Sequence, residues 1–324
     1  MKIIFFGTPE YVSPIFEHLN KVEPVVCVVT RNDKPSGRHL HPVPSPIKKI
    51  AIEKDIPVLT PENLKDKGFI AKLSSLNSHL AVVAAYGKIL PKEVLDVFPL
   101  GCINLHFSLL PKYRGAAPIQ WAIINGEKET GVTSFFMDEG LDTGKIISQI
   151  KIRIEIEDTA DMLREKLIPV AIDVLSETLE KIKRGFKGIK GEAQTGEISY
   201  APPLKKEDGK INWNKPAKEI HNLIRGTKPW PSAFTQITNY KLQITNLKIL
   251  DAEISSAIQI GGPAFGGQSL SVGTIVSLQK NVGFAVKCGE DYLLVKTVQP
   301  ASKNVMSAWS FIVGHKLVVG DKLS

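Results

Sequence analysis

Cysteine is scarce in this chain: three residues in 324, at positions 27, 102 and 288, odd in number and in no metal-ligand spacing. That argues against a disulfide scaffold and a structural zinc site, and fits reduced thiols in a cytoplasmic protein. Cys27 and Cys102 fall inside apolar runs, where a free thiol behaves as a small core residue. Long hydrophobic runs are missing too. No stretch approaches the roughly 20 apolar residues of a membrane-spanning helix. The opening MKIIFFGTPE has neither the apolar centre nor the small-residue cleavage site of a signal peptide. Low-complexity segments and internal repeats are absent, and no apolar repeat marks an assembly face, so a monomer is expected. At 43% apolar and 23% charged the composition is that of a globular protein. A chain of 324 residues exceeds what one core usually holds, so two domains are expected.

Charge is unevenly placed. Residues 1–200 carry 26 basic and 25 acidic side chains, whereas residues 201–324 carry 15 and 8, so most of the net +8 belongs to the second segment. Such a surplus fits a polyanionic partner or, equally, a solvated basic surface.

KIIFFG is a buried-strand pattern ending at Gly7; Thr8 is then placed to cap a helix, Pro9 suits its first position and Glu10 its positive end. VVCVVT (25–30), IPVLT (56–60), HLAVVAAY (79–86) and CINLHF (102–107) read as further strands, with PKEVLDVF and APIQWAIING as helices. Apolar strands separated by helices indicate an α/β domain with a parallel sheet covered on both faces, which binds ligands at the carboxyl ends of its strands. From Glu129 the period shifts towards two, as in a hairpin or edge pair, and a long helix spans about 159–184. Residues 185–208, rich in Gly, Pro and Lys, have the composition of a linker. Beyond it, one helix and several short strands separated by turns describe a small β-barrel. The expected division is therefore 1–184, a linker at 185–208, and 209–324.

Two pieces carry chemistry: N-L-H at Asn104–His106 and DEGLDTG at Asp138–Gly144. Two apart on a strand, Asn104 and His106 point to one face. Asn is a neutral amide donor, His changes charge near neutrality, and Asp holds that charge. The set suits acyl chemistry, where an oxyanion needs donors and an attacking amine must lose a proton. With no G-x-S-x-G motif, direct transfer is favoured over a covalent intermediate. By residue type alone, Asn-x-His is equally turn chemistry and DTG a cap or tight turn.

The blocks INLHFSLLPKYRGAAPIQWAI and TSFFMDEGLDTG resemble the signature of the 10-formyltetrahydrofolate-dependent formyltransferases, and GTPEYVSP and AAYGKILP are similar to the same family. INWNKPAKEIHNLIRGTKPWPSAF and KNVMSAWSFIVGHKLVVGDKL resemble the second domain of its tRNA-directed members, so the likeness runs over nearly the whole chain. The resemblance implies a Rossmann-like formyltransferase domain followed by an OB-like barrel. It implies 10-formyltetrahydrofolate as formyl donor, without a metal, tetrahydrofolate as product, and the amino group of methionine on initiator Met-tRNA as acceptor. Asn104, His106 and Asp142 would be the catalytic trio: the first two hold the formyl oxygen, and Asp142 orients His106. Ser108, Leu109, Leu110, Pro111, Asp138 and the backbone of Tyr86, Gly87, Ile89 and Leu90 would shape the folate pocket. The loop Arg31–Lys49 would meet the acceptor stem through Arg38, with Lys34 and Lys48 beside it.

The chain departs from that family at three places. Phe107 stands where a small residue is common and is expected to thicken the pocket wall. Lys145 replaces an acid near Asp142, and GRHLHPVP replaces a more lysine-rich loop. His39 and His41 in that loop lack a third metal ligand. Two other functions stay open: formyl transfer to an amino-sugar nucleotide, and a non-catalytic RNA-binding relative. A glycinamide ribonucleotide transferase fits less well, since it needs no second domain. A nicotinamide site is set aside because GTPEYVSP lacks the three glycines that a pyrophosphate requires.

Overall fold

Four of the apolar runs of the first half lie in the middle of a sheet, while IPVLT forms its edge. A computed structural model describes the chain except residues 37–40, 186–190, 240–241 and 257–270, and leaves out the side chains of 34–36, 41–42, 238–239 and 242–245 as well. The early elements are β1 (Ile3–Gly7), α1 (Ser13–Val22), β2 (Val25–Val29), β3 (Lys34–Ser36), β4 (His41–Val43), α2 (Pro46–Glu53), β5 (Val58–Leu59), α3 (Lys67–Ser75), β6 (Leu80–Ala84) and α4 (Lys92–Leu95). Then come β7 (Cys102–His106), β8 (Arg114–Gly115), α5 (Pro118–Ile124), β9 (Glu129–Phe136), β10 (Ile146–Arg153), α6 (Ala160–Arg184) and β11 (Tyr200–Ala201). The main sheet has the order β10-β9-β7-β6-β1-β2-β5. Its five strands from β7 to β5 are parallel, and β9 and β10 add an antiparallel edge. All five residues of β1 and of β6 are buried, as a doubly covered parallel sheet requires. The chain steps outward from β1 to β2 and β5, then returns to β6 on the other side, so the strand order reverses between β1 and β6.

The first turn differs from the expected cap. Pro9, with no side-chain hydrogen bond, precedes a short 3-10 turn at Glu10–Val12, and α1 begins only at Ser13. Thr8 donates its hydroxyl to the carbonyl of Tyr86 (3.3 Å) and so ties the turn after β1 to the turn after β6. A partner across the sheet outcompetes the local cap.

Two compact units result: Met1–Pro118, Glu129–Arg153 and Arg164–Pro202 form the first, and Ile119–Lys128, Ile154–Leu163 and Pro203–Ser324 the second. The expected linker is largely absorbed by them. Glu192 and Ile146 exchange two backbone hydrogen bonds of 2.8 Å, and β11 pairs in parallel with β8. Composition describes a strand's surroundings poorly when a partner strand supplies its hydrogen bonds.

The second unit contains α7 (Ala217–Gly226), β12 (Ala233–Asn239), β13 (Leu242–Ser255), β14 (Ile275–Gln279), β15 (Gly283–Lys287), β16 (Tyr292–Pro300), β17 (Met306–Ser307), α8 (Ala308–His315) and β18 (Lys322–Leu323). Its antiparallel path β14-β15-β16-β13-β12-β18 is nearly closed by a bridge from Thr274 to Lys322. The barrel core takes in Ile220 and Ile224 of α7 and Phe311 of α8. Arg225 donates to the carbonyls of Glu155 (3.1 Å) and Asp158 (3.0 Å), which binds the 154–163 segment to α7 within this unit.

Phe6 of β1 is fully buried, edge-on to Tyr86 and Phe98 with ring centroids 5.4 and 6.3 Å away. Phe6→Ala is expected to destabilise the first unit by about 3–5 kcal/mol in urea unfolding. A loss below about 1 kcal/mol would mean that the cavity closes over.

Candidate active site

His106 ends β7 at the carboxyl edge of the parallel strands, one strand from the reversal between β1 and β6 near which open α/β sheets bind ligands. It is buried, with its Nε2 donating to the carbonyl of Tyr113 at 2.8 Å. That bond commits Nε2 as a donor and leaves Nδ1, which lies 3.6 Å from Oδ2 of Asp142. The separation exceeds a direct hydrogen bond, so Nδ1 stays open to an entering atom. Asn104 shares the face by strand alternation. It is half-buried, and its amide makes no hydrogen bond among the described residues.

Asp142 reaches His106 by a long excursion. β9 pairs Phe136 with Ile103 and Thr133 with His106, so the loop leaves the sheet opposite the start of β7. At its neck the N–H of Phe136 donates to the carbonyl of Lys145 at 2.9 Å. A Cβ on Gly144 would collide with the carbonyl oxygen of Phe136, which explains the glycine of D-T-G. Asp138 Oδ1 accepts from the N–H of Gly140 (3.0 Å) and the hydroxyl of Thr143 (2.6 Å), an Asx-type turn that shapes the excursion. Asp142 itself sits in the left-handed region at φ 53°, and its Oδ2 accepts from the N–H of Gly115 at 2.8 Å.

The S-L-L-P turn is held from beneath by residues that sequence reasoning missed. Thr133 donates its hydroxyl to the carbonyl of Ser108 (2.6 Å) and accepts from the N–H of Leu110 (3.2 Å). Gln149 donates to that same hydroxyl oxygen (2.8 Å) and to the carbonyl of Leu110 (3.1 Å). Ser108 is fully buried and donates to the carbonyl of Lys112 (2.7 Å). Leu110 and Pro111 are buried, and Leu109 half-buried. Tyr113, in the left-handed region at φ 61°, is held there by Ser199, whose Oγ accepts its N–H at 2.9 Å. Polar residues inside apolar strand runs, such as Thr133 and Gln149, were the available signal.

In the turn after β6, Tyr86 and Leu90 point into the core, Gly87 takes φ 75°, and Ile89 is 67% exposed. Burial pushes the Tyr86 phenol up to about 12, so it remains protonated. Arg31 donates to the carbonyl of Gly87 and braces this turn. Lys48 is paired with Asp33 at 2.8 Å, which pins the base of the Arg31–Lys49 loop. Lys34 begins β3 and His41 begins β4, while Arg38 and His39 lie outside the described residues. Phe107 lies on the opposite face of the strand from His106. It is buried against Tyr11, ring centroids 6.0 Å apart, because strand alternation turns it to the other side. Lys145 is exposed and makes no ion pair with Asp142 among the described residues. No group of three or more His, Cys, Asp or Glu among the described residues is placed to hold a metal ion.

An imidazole and a carboxylate thus meet at the end of β7, with an amide donor two residues back on the same strand face. Such a set stabilises negative charge growing on a carbonyl oxygen and takes up a proton from an attacking amine.

Comparison with known proteins places both units. The formyl transferase family pattern matches residues 1–179, and the pattern of the formyl transferase C-terminal domain matches residues 203–316. A methionyl-tRNA formyltransferase of Thermodesulfovibrio yellowstonii is 47% identical over 319 residues, covering 98% of this chain and 97% of that protein. Among solved structures, an N-formyltransferase from Helicobacter canadensis in complex with folinic acid and dTDP-3-aminofucose has a TM-score of 0.62 at 21% identity, covering 94% of this chain and 100% of that one. HypX from Aquifex aeolicus in complex with tetrahydrofolic acid has a TM-score of 0.61 at 14% identity; the match covers 98% of this chain but 48% of HypX. At such identities the two structures speak for the fold.

Gly144→Ala is expected to force the Asp138–Gly144 excursion off its neck. Hydrogen exchange of the Phe136 amide would then accelerate about tenfold or more. Unchanged protection would show that the neck yields without opening.

Proposed function

The chain belongs to the formyl transferase family, and from that premise we propose that it moves the formyl group of 10-formyltetrahydrofolate onto the amino group of methionine carried by initiator tRNA. One observation carries the reading: His106 Nδ1 and the Asp142 carboxylate lie 3.6 Å apart at the end of β7, with Asn104 on the same strand face two residues back. The 47% identical relative, matched end to end, favours Met-tRNA as the acceptor over an amino-sugar nucleotide. The surplus of basic side chains in residues 201–324 fits a polyphosphate partner.

The donor supplies an activated one-carbon group, and its ring system suits the exposed aliphatic side chains Ile89 and Leu141 in the two turns of the site. Asn104 donates from its amide to the formyl oxygen as that oxygen gains charge. His106, with Nε2 held by Tyr113, presents Nδ1 to the same region, 3.6 Å from the Asp142 carboxylate. The amine nitrogen forms its bond to the formyl carbon, the bond from that carbon to the folate nitrogen breaks, and the amine's proton leaves with the folate. Ser108, Leu109, Leu110 and Pro111, with Asp138, serve as scaffold for the donor pocket. Lys34, Arg38 and Lys48 belong to the loop offered to the acceptor stem, where the Lys48–Asp33 pair steadies the base. The domain roles follow: formyl chemistry in the first unit and tRNA binding in the second. The protein acts as a cytoplasmic monomer in this reading, and no described helix is long and apolar enough to cross a membrane.

Formyl transfer to Met-tRNA is expected to weaken as salt rises and to fall by about 10²–10⁴-fold in His106→Ala. The assay runs with an amino-sugar nucleotide as competing acceptor. Transfer to the sugar alone would overturn the acceptor, and bound tRNA without any transfer would overturn the enzyme.

A further inference from the structure

All four hydrogen-bonding positions of one side-chain amide are used, and two of them by the loop that carries the acid of the trio. Gln194 Oε1 accepts from Arg114 at Nε (3.2 Å) and Nη2 (2.6 Å). Its Nε2 donates to the backbone carbonyls of Asp142 and Gly144, 2.8 Å each. Chemistry settles which end of the amide faces which partner, since a guanidinium only donates and a carbonyl only accepts. Asp142 in turn accepts from the N–H of Gly115, the residue after Arg114. The contacts close a ring from Arg114 through Gln194, Asp142 and Gly115 back to Arg114.

The ring has a firm base. Arg114 is buried, its N–H donates to the carbonyl of Ser199 at 2.9 Å, and Arg114–Gly115 pairs with Tyr200–Ala201. The held loop needs such support: Asp142 keeps a left-handed backbone, which a residue bearing a Cβ retains only when its surroundings impose it. We propose that Gln194 is a positioning residue for the transfer step, its two amide N–H groups holding the Asp142–Gly144 backbone so that the Asp142 carboxylate faces His106. The role rests on the formyl-transfer reading above. Only Gln and Asn offer an acceptor and two donors on one planar group, and Asn is a methylene too short to span Arg114 and the loop. Glu keeps the contact to Arg114 but sets a carboxylate oxygen against two carbonyls.

The test compares the wild-type protein with Gln194→Glu and Gln194→Ala. Both variants are expected to lose about 10–100-fold in kcat, while KM for Met-tRNA stays within about threefold. Gln194→Glu is expected to melt near the wild type, because its pair with Arg114 persists. Exchange of the Gly115 amide, which needs no substrate, is expected to quicken by about tenfold in both. Wild-type kcat in either variant, a loss confined to KM, full rescue by Glu, or unchanged Gly115 exchange overturns the inference. A wild-type protein that transfers no formyl group overturns the parent reading instead, and the Gly115 exchange tells the two failures apart.

Discussion

An acidic side chain held away from its own strand is what the site depends on. Asp142 belongs to a loop whose neck lies opposite Ile103, at the far end of β7 from His106. The loop must travel along the strand to deliver its carboxylate, and its own Asx-type turn at Asp138 shapes the path without fixing the carboxylate at its end. The rest comes from remote segments, the Gly115 N–H on the carboxylate and the Gln194 amide on the backbone, and from a neck that tolerates no side chain at Gly144. Each is worth about 1 kcal/mol alone, yet together they hold one geometry.

The imidazole is restrained by the same logic from the opposite direction. Its Nε2 is committed to Tyr113, and Tyr113 keeps its unusual backbone because Ser199 takes its N–H. The stretch from Gln194 to Ala201 therefore stands behind both members of the pair, through Gln194 for the carboxylate and Ser199 for the imidazole. It also pairs as β11 with β8, the short strand that supplies the Gly115 N–H. Strand pairing, side-chain amide and hydroxyl converge on one small wall, so the site behaves as a rigid unit in which a change at one brace reaches the others.

Much of this was legible before any coordinates. The apolar runs placed β1, β2, β6 and β7 because strands buried on both faces have no polar face to alternate. Asn104 and His106 share a face because the side-chain period of a strand is two. Other features were not legible. Thr8 forgoes its helix cap for the carbonyl of Tyr86, and Phe107 packs on Tyr11 away from His106. Residues 191–202 look like a linker, yet they serve as a wall. In each case the deciding partner lies far off in sequence.

The sequence by itself determined the central strands β1, β2, β6 and β7, the common face of Asn104 and His106, and the presence of an amide, an imidazole and a carboxylate suited to one chemistry. Those follow from local periodicity and from the functional groups themselves. Tertiary structure alone decided that Asp142 should meet His106, that Gln194 should lock it there, and that Lys48 should answer to Asp33. These are contacts between remote segments, and their geometry exists only once the sheet has set the register of β7 against β9 and of β8 against β11.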